Sequence, residues 1–261
     1  MKCLTWNLEW KTPASIAGRL IREQVAALNL DVICFTEVVR ALVPAGHHIE
    51  ADPDYGYPNE GGRRKVVLWS RHPWTEVDVT GDDEIPPGRF VSGVIDGIRF
   101  VGVCIPWRDA HVSSGKRDKK PWEDHLAYCR GLGRVLARYS ADGMPKCILG
   151  DYNQRIPRVG QPVNVARALA DAIPADFRIA TEGMKDSEGK DLIDHFAVSR
   201  GLSITITQIV PRFAVCGTEL SDHVGVVASL ENNEIEPAVT HNHLSGPALK
   251  LTTTLRSPEN S

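Results

Sequence analysis

The pair Asp96-Gly97 stands between two apolar, β-rich runs, residues 90–95 and 98–105, and it constrains the fold more than any other stretch. Asp-Gly adopts the positive φ angles of a tight turn without strain, so the two runs predict an antiparallel hairpin. Upstream, residues 2–8 read as a strand, residues 13–28 as a helix and residues 31–37 as a second strand. Thr12 is the expected helix N-cap, Pro13 suits the first helical position, and Ile16, Leu20, Ile21, Val25 and Leu28 follow at helical spacing. Strand, helix, strand followed by a hairpin implies a mixed sheet in an α/β protein.

The remaining chain extends this pattern. Residues 39–64, with Asp52-Pro53-Asp54 and Tyr55-Gly56-Tyr57-Pro58, read as surface loop, and residues 66–70 as a strand. Pro106 ends the hairpin, residues 107–120 form a polar loop, and Pro121 opens a helix carrying Leu126, Cys129, Leu132 and Leu136. A strand over residues 146–149, a helix over 163–172 and strands over 192–198, 203–209 and 224–230 complete the reading. Residues 1–232 are expected to form one domain. The aperiodic Asn, Glu, Pro, Thr and Ser of residues 233–261 predict a mobile or loosely docked tail, in which His241 and His243 are solvated.

Composition removes several function classes. Of 261 residues, 42% are apolar and 24% charged, which excludes disordered, collagen-like and membrane proteins. A net charge of −3 argues against coating nucleic acid through bulk charge, so a polyanion would need local basic clusters or a metal. Cys3, Cys34, Cys104, Cys129, Cys147 and Cys216 show no C-x-x-C spacing and read as free thiols in a reducing compartment. No signal-type apolar region follows Met1, and no stretch reaches the roughly 18 apolar residues of a membrane span; the cytoplasm is the expected location.

Several apolar runs end on acid or amide groups. They deliver Asn7, Glu37, the pair Asp151 and Asn153 after Gly150, and Asp222 and His223 before the last strand; Asp194 lies within another run. Each alone reads as a cap, a turn residue or a bonded core group. Together they imply a site, because grouped carboxylates repel and take up protons unless a cation sits among them. Hard oxygen donors such as Glu37, Asp222 and the Asn7 amide suit Mg²⁺ or Mn²⁺, and no zinc spacing of His and Cys occurs. A phosphate ester polarised by such an ion needs a water and a proton acceptor, for which His223 oriented by Asp194, or Asp151, qualifies.

The ordered motifs Thr5-Trp6-Asn7, Phe35-Thr36-Glu37, Gly150-Asp151-Tyr152-Asn153, Leu192-Ile193-Asp194-His195 and Ser221-Asp222-His223 resemble those of the endonuclease/exonuclease/phosphatase superfamily. The resemblance spans roughly residues 1–230 and implies a four-layer α/β sandwich, two packed mixed β-sheets flanked by helices, with a metal-dependent phosphoesterase site at the strand ends. It implies Glu37 as main metal ligand with Asn7 beside it, and Asp151 and Asn153 positioning the water and the scissile phosphate. Asp222 and His223 match the closing motif, with Asp194 orienting the histidine. Either His223 or Asp151 takes the proton.

One departure concerns Cys104, which stands where many relatives have His and the apurinic-site enzymes a Tyr, so the leaving-group acid is missing. His111, or the basic residues Lys116 and Arg117 of its loop, are candidates to reach in. His125 reads as structural or exposed, and His195 as a core or interface histidine. Arg63 and Lys65 flank a strand as a phosphate-backbone groove requires, and Trp107 is a candidate stacking surface for a base or abasic sugar. The leading reading is a Mg²⁺-dependent or Mn²⁺-dependent nuclease with nucleic acid as substrate. The alternatives are hydrolysis of a phospholipid head group or small phosphorylated metabolite, and a non-catalytic binding module.

Overall fold

The computed structural model describes residues 1–233; residues 234–261, and with them His241, His243 and all but the first residue of the expected tail, lie outside the described residues. In chain order the elements are β1 (Lys2–Asn7), α1 (Ile16–Leu28), β2 (Val32–Val39), β3 (His47–Glu50), β4 (Arg63–Ser70), β5 (Thr75–Asp78), β6 (Phe90–Ile95) and β7 (Ile98–Cys104). Then come α2 (Glu123–Tyr139), β8 (Lys146–Asp151), α3 (Val163–Ala172), β9 (Arg178–Ile179), β10 (Asp194–Val198), β11 (Leu202–Val210) and β12 (Gly225–Asn232). They form two six-stranded sheets, ordered β11-β12-β1-β2-β4-β3 and β5-β6-β7-β8-β10-β9. Both are mixed, since β1–β2 and β7–β8 run parallel and the other pairs antiparallel.

Alternation along the strands sorts side chains into layers. Cys3, Cys34, Val66 and Leu68 of the first sheet meet Phe100, Cys147, Leu149 and Phe196 of the second. On the outer faces, Leu4, Trp6, Ile33 and Phe35 pack against Ile21, Val25 and Leu28 of α1. Val101, Val103 and Ile148 pack against Tyr128, Leu132 and Val135 of α2 and Leu169 and Ala172 of α3. The result is the expected four-layer α/β sandwich. Among the described residues no helix is long and apolar enough to cross a membrane.

The hairpin closes as its turn residues require, with Ile95 opposite Ile98, Asp96 at φ 49° and Gly97 at φ 72°. Other boundaries moved. α1 starts at Ile16, not at Pro13, because residues 12–15 turn first and the Ser15 hydroxyl, not Thr12, accepts the Gly18 N–H at 2.9 Å. The expected loop of residues 39–64 contains β3, and β5 and β9 also form without a sequence signal. These are sheet-edge strands of four, four and two residues, held mainly by backbone pairing and with few buried side chains.

The two parallel pairs aim their C-terminal ends at one rim, so Asn7 and the residues after Thr36 lie near Cys104 and Asp151. Gly150 is required there: at φ 145°, any Cβ would stand 1.9 Å from the Val103 carbonyl oxygen. That close approach holds β8 in register with Cys104 opposite Asp151.

Candidate active site

At the rim, Asp151 is the hub. Its Oδ2 accepts hydrogen bonds from Asn7 Nδ2 at 3.0 Å and Asn153 Nδ2 at 2.9 Å, and its Oδ1 accepts the Asn153 N–H at 2.9 Å. Asp194 lies opposite Asp151 in the β8–β10 ladder, and its Oδ2 is 2.6 Å from His223 Nδ1. The Ser221 hydroxyl donates to the Asn7 carbonyl at 2.7 Å and accepts the His223 N–H at 3.1 Å, tying the last motif to the first. Glu37 faces Lys65 between the pairs Thr36–Val66 and Val38–Arg64, and its Oε1 accepts from Lys65 Nζ at 2.5 Å. Glu37 (φ 48°) and Asn153 (φ 52°) both take left-handed backbone conformations, strain of the kind that concentrates at functional sites.

Burial and charge oppose each other here. Burial pushes the Asp151 carboxyl up to about 7, with Asp194 and Glu37 adding to the rise and His223 opposing it. For His223 burial acts downward, but the Asp194 carboxylate together with Asp151 and Asp222 raises the imidazole to about 10. Burial alone would raise Glu37; the Lys65 ammonium instead holds it below the ordinary value. Burial raises Asp222, aided by nearby Glu9 and Glu37. The Cys104 thiol is pushed by burial to about 12, so it is neutral and no proton donor of use near neutrality.

Most of these groups line one pocket of about 540 Å³, while Asp194 stands behind His223 and Cys104 lies outside the lining. Asn7, Glu37, Asp151, Asn153, Asp222 and His223 form its polar floor, and Arg63, Lys65 and Trp107 also face it. The remaining expected residues do not. His111 is buried behind the wall, with Nδ1 2.6 Å from Asp124 Oδ2 and its ring stacked on Tyr57 at 4.6 Å, so it does not reach in as a leaving-group acid. Lys116 and Arg117 are exposed and do not line the pocket. His125 and His195 are both fully buried, His125 contacting the Pro106 carbonyl at 2.7 Å and His195 the Gln154 carbonyl at 2.9 Å.

Sequence reading missed Arg89, Trp10, Tyr55 and Tyr57, which all line the pocket. Arg89 is 1% exposed; its Nη1 donates to the Cys104 carbonyl at 3.4 Å, while Nε and Nη2 have no hydrogen-bond partner among the described residues. A buried guanidinium with idle donors is a ready receptor for an anion. Its signal was available: a lone charge opening the apolar strand Phe90–Ile95, obscured by the turn-like Pro86-Pro87-Gly88 before it.

The donor set fits a hard cation. Glu37, Asp151, Asp194 and Asp222 converge on one rim, and Asp194 Oδ1 is buried without a hydrogen-bond partner among the described residues. Asp151, Asp194 and His223 each place one potential ligand atom within 4.8 Å of the others. His223 Nδ1, however, is engaged by Asp194, and the raised imidazole keeps a proton on Nε2 near neutrality, which leaves oxygen atoms as the free donors.

Residues 4–223 match the Endonuclease/Exonuclease/phosphatase family. Among solved structures, an AP endonuclease from Archaeoglobus fulgidus superposes with TM-score 0.62 at 16% identity, covering 88% of this chain and 99% of that one. A 3'-5' exonuclease from Neisseria meningitidis gives TM-score 0.62 at 17% identity, covering 88% and 100%. A Neisseria 3' phosphatase bound to a product DNA hairpin gives 0.62 at 16%, covering 88% and 99%. At these identities the likeness is one of fold. No curated protein matches the chain in sequence.

Proposed function

This chain belongs to the endonuclease/exonuclease/phosphatase family, and on that premise we propose that it is a divalent-metal-dependent phosphodiesterase that cleaves nucleic acid, with Mg²⁺ or Mn²⁺ as cofactor and water as nucleophile. Residues 1–232 are the catalytic unit and residues 233–261 an appended segment. The buried free thiols favour a reducing compartment, the cytoplasm, as the place of action. The observation that carries the reading is one pocket holding Glu37, Asp151 and Asp222 together with His223, Lys65 and Arg89: acids for a metal and a water, cations for a phosphate.

In this reading Glu37, Asn7 and Asp222 hold the metal ion, which when bound supplies positive charge to a phosphoryl oxygen. Asp151, raised to about 7, takes the proton of the attacking water, positioned by the Asn7 and Asn153 amides that bond its Oδ2. His223, with Nδ1 on Asp194, presents Nε2 to the phosphate as a donor. The idle Arg89 donors take a second phosphoryl oxygen, Arg63 meets the backbone, and Trp107, 46% exposed at the rim, offers a stacking face. Structural neighbours that act on DNA favour nucleic acid over a lipid head group or small metabolite.

The test is hydrolysis of single-stranded, double-stranded and abasic DNA, RNA and a generic phosphodiester with Mg²⁺ or Mn²⁺. Glu37→Ala, Asp151→Ala and His223→Ala should each lower kcat by about 10³-fold or more, and chelator should abolish turnover. Activity confined to small phosphoesters would replace the substrate class; metal-independent turnover would refute the mechanism.

A further inference from the structure

Lys65 is 7% exposed, yet it enters no surface network. Its hydrogen bond to Glu37 Oε1 is its single one among the described residues. The other sides of the ammonium face aromatic rings, with Nζ 5.0 Å from the Trp10 centroid, 5.7 Å from Tyr55 and 5.8 Å from Tyr57. Rings at these distances attract a cation through their quadrupoles and hold a flexible side chain in place. The cage is itself braced: Trp10 stacks on Tyr55 at 5.7 Å, Tyr55 on Tyr57 at 5.9 Å and Tyr57 on His111 at 4.6 Å. His111 is in turn anchored to Asp124 of α2, so loops from both sheets support one ammonium.

This arrangement has an electrostatic consequence. Glu37 is the carboxylate expected to hold the metal, and a lysine 2.5 Å from it competes with any cation that binds there. The same residue lines the pocket together with Arg63, Arg89 and His223, where a phosphate would meet positive charge. Resting on the reading of the pocket as a metal-dependent phosphodiesterase, we propose that Lys65 is a resident cation of the site: caged by Trp10, Tyr55 and Tyr57, it shares Glu37 with the divalent ion and binds a phosphoryl oxygen of the substrate.

The experiment is calorimetric titration of Mn²⁺ into the full-length protein without substrate, for wild type, Lys65→Met and Lys65→Arg, with steady-state kinetics alongside. Removing the competing charge should tighten Mn²⁺ binding by about tenfold in Lys65→Met, while kcat falls by about 10²-fold. Lys65→Arg, which keeps the charge, should retain wild-type Mn²⁺ affinity and recover part of kcat. Unchanged or weaker Mn²⁺ binding in folded Lys65→Met, or an unchanged kcat, overturns the proposal. Should Lys65→Met fail to fold, Trp10→Leu decides: it loosens the ammonium from Glu37 without removing it, so tighter Mn²⁺ binding supports the proposal and unchanged binding overturns it. A wild-type protein that binds no Mn²⁺ and cleaves nothing overturns the phosphodiesterase reading with it, whereas normal wild-type binding with no effect of Lys65→Met overturns the role of Lys65 alone.

Discussion

Asp194 and His195 are consecutive on β10, both buried, and they serve opposite sides of the second sheet. Asp194 shares its face with Phe196 of the inter-sheet core and reaches His223 at the pocket. His195 shares its face with Ala197 on the helix side, where Nδ1 lies 2.7 Å from the Thr181 hydroxyl and Nε2 2.9 Å from the Gln154 carbonyl. His125 completes that rear cluster: its Nδ1 donates to the Pro106 carbonyl at 2.7 Å and its Nε2 accepts from the Gln154 amide at 2.7 Å. Burial lowers both rear histidines, His125 to about 4, whereas the carboxylate beside His223 reverses the sign and raises it to about 10. Burial by itself makes a histidine a neutral post; burial beside an acid makes it a cation that waits for an anion.

The sharpest way to break this contrast is to truncate the two neighbours separately. Asp194→Ala should lower kcat by about 10³-fold while leaving the folded state largely intact. His195→Ala should lower stability by about 2–4 kcal/mol with only a several-fold loss of activity in the protein that remains folded. Equal losses of activity at equal folded fraction, read by denaturant titration and kinetics together, would erase the distinction between the faces. The next test uses acid. An unfolded His125 binds a proton below pH 6.5 that the folded one refuses until about 4, so its contribution is complete above 6.5 and is lost as pH falls toward 4. That amounts to about 3 kcal/mol, with His195 adding in the same direction; in His125→Gln the urea midpoint should fall less steeply across this window. The smallest effect belongs to Cys104→Ser, for which less than a threefold change in kcat/KM is expected, since a neutral thiol at 1% exposure supplies no proton. A large loss there would return Cys104 to the chemistry and weaken the case for Lys65.

How much of this was legible depended on what each residue's signal reports. β1, β2, the β6–β7 hairpin and α3 emerged from apolar periodicity because burial is what holds them. β3 and β5 did not, since most of their side chains face solvent. The polar ends of β1, β2, β8 and β10 were readable as a group because acids and amides interrupt apolar runs. The pocket wall was not: Trp10, Tyr55 and Tyr57 come from loops whose sequence says only that the chain turns, and their stacking is a tertiary fact. Arg63, Arg64 and Lys65 are consecutive in the sequence and read as one basic run, yet the three part company. Arg63 faces the pocket, Arg64 pairs with Glu50 at 3.0 Å, and Lys65 pairs with Glu37.

The Ser221 hydroxyl that bridges the Asn7 carbonyl and the His223 amide joins residues 214 positions apart, and the Met1 amino group donates to Leu230 across 229. Contacts this distant in sequence form late and pay no return until both ends of the chain are present. On the ribosome, therefore, an incomplete polypeptide would hold Asn7, Glu37 and Asp151 without the strand that brings Ser221 and His223 to them. The pocket is complete only once β1 has paired with β12 and Ser221 has reached Asn7.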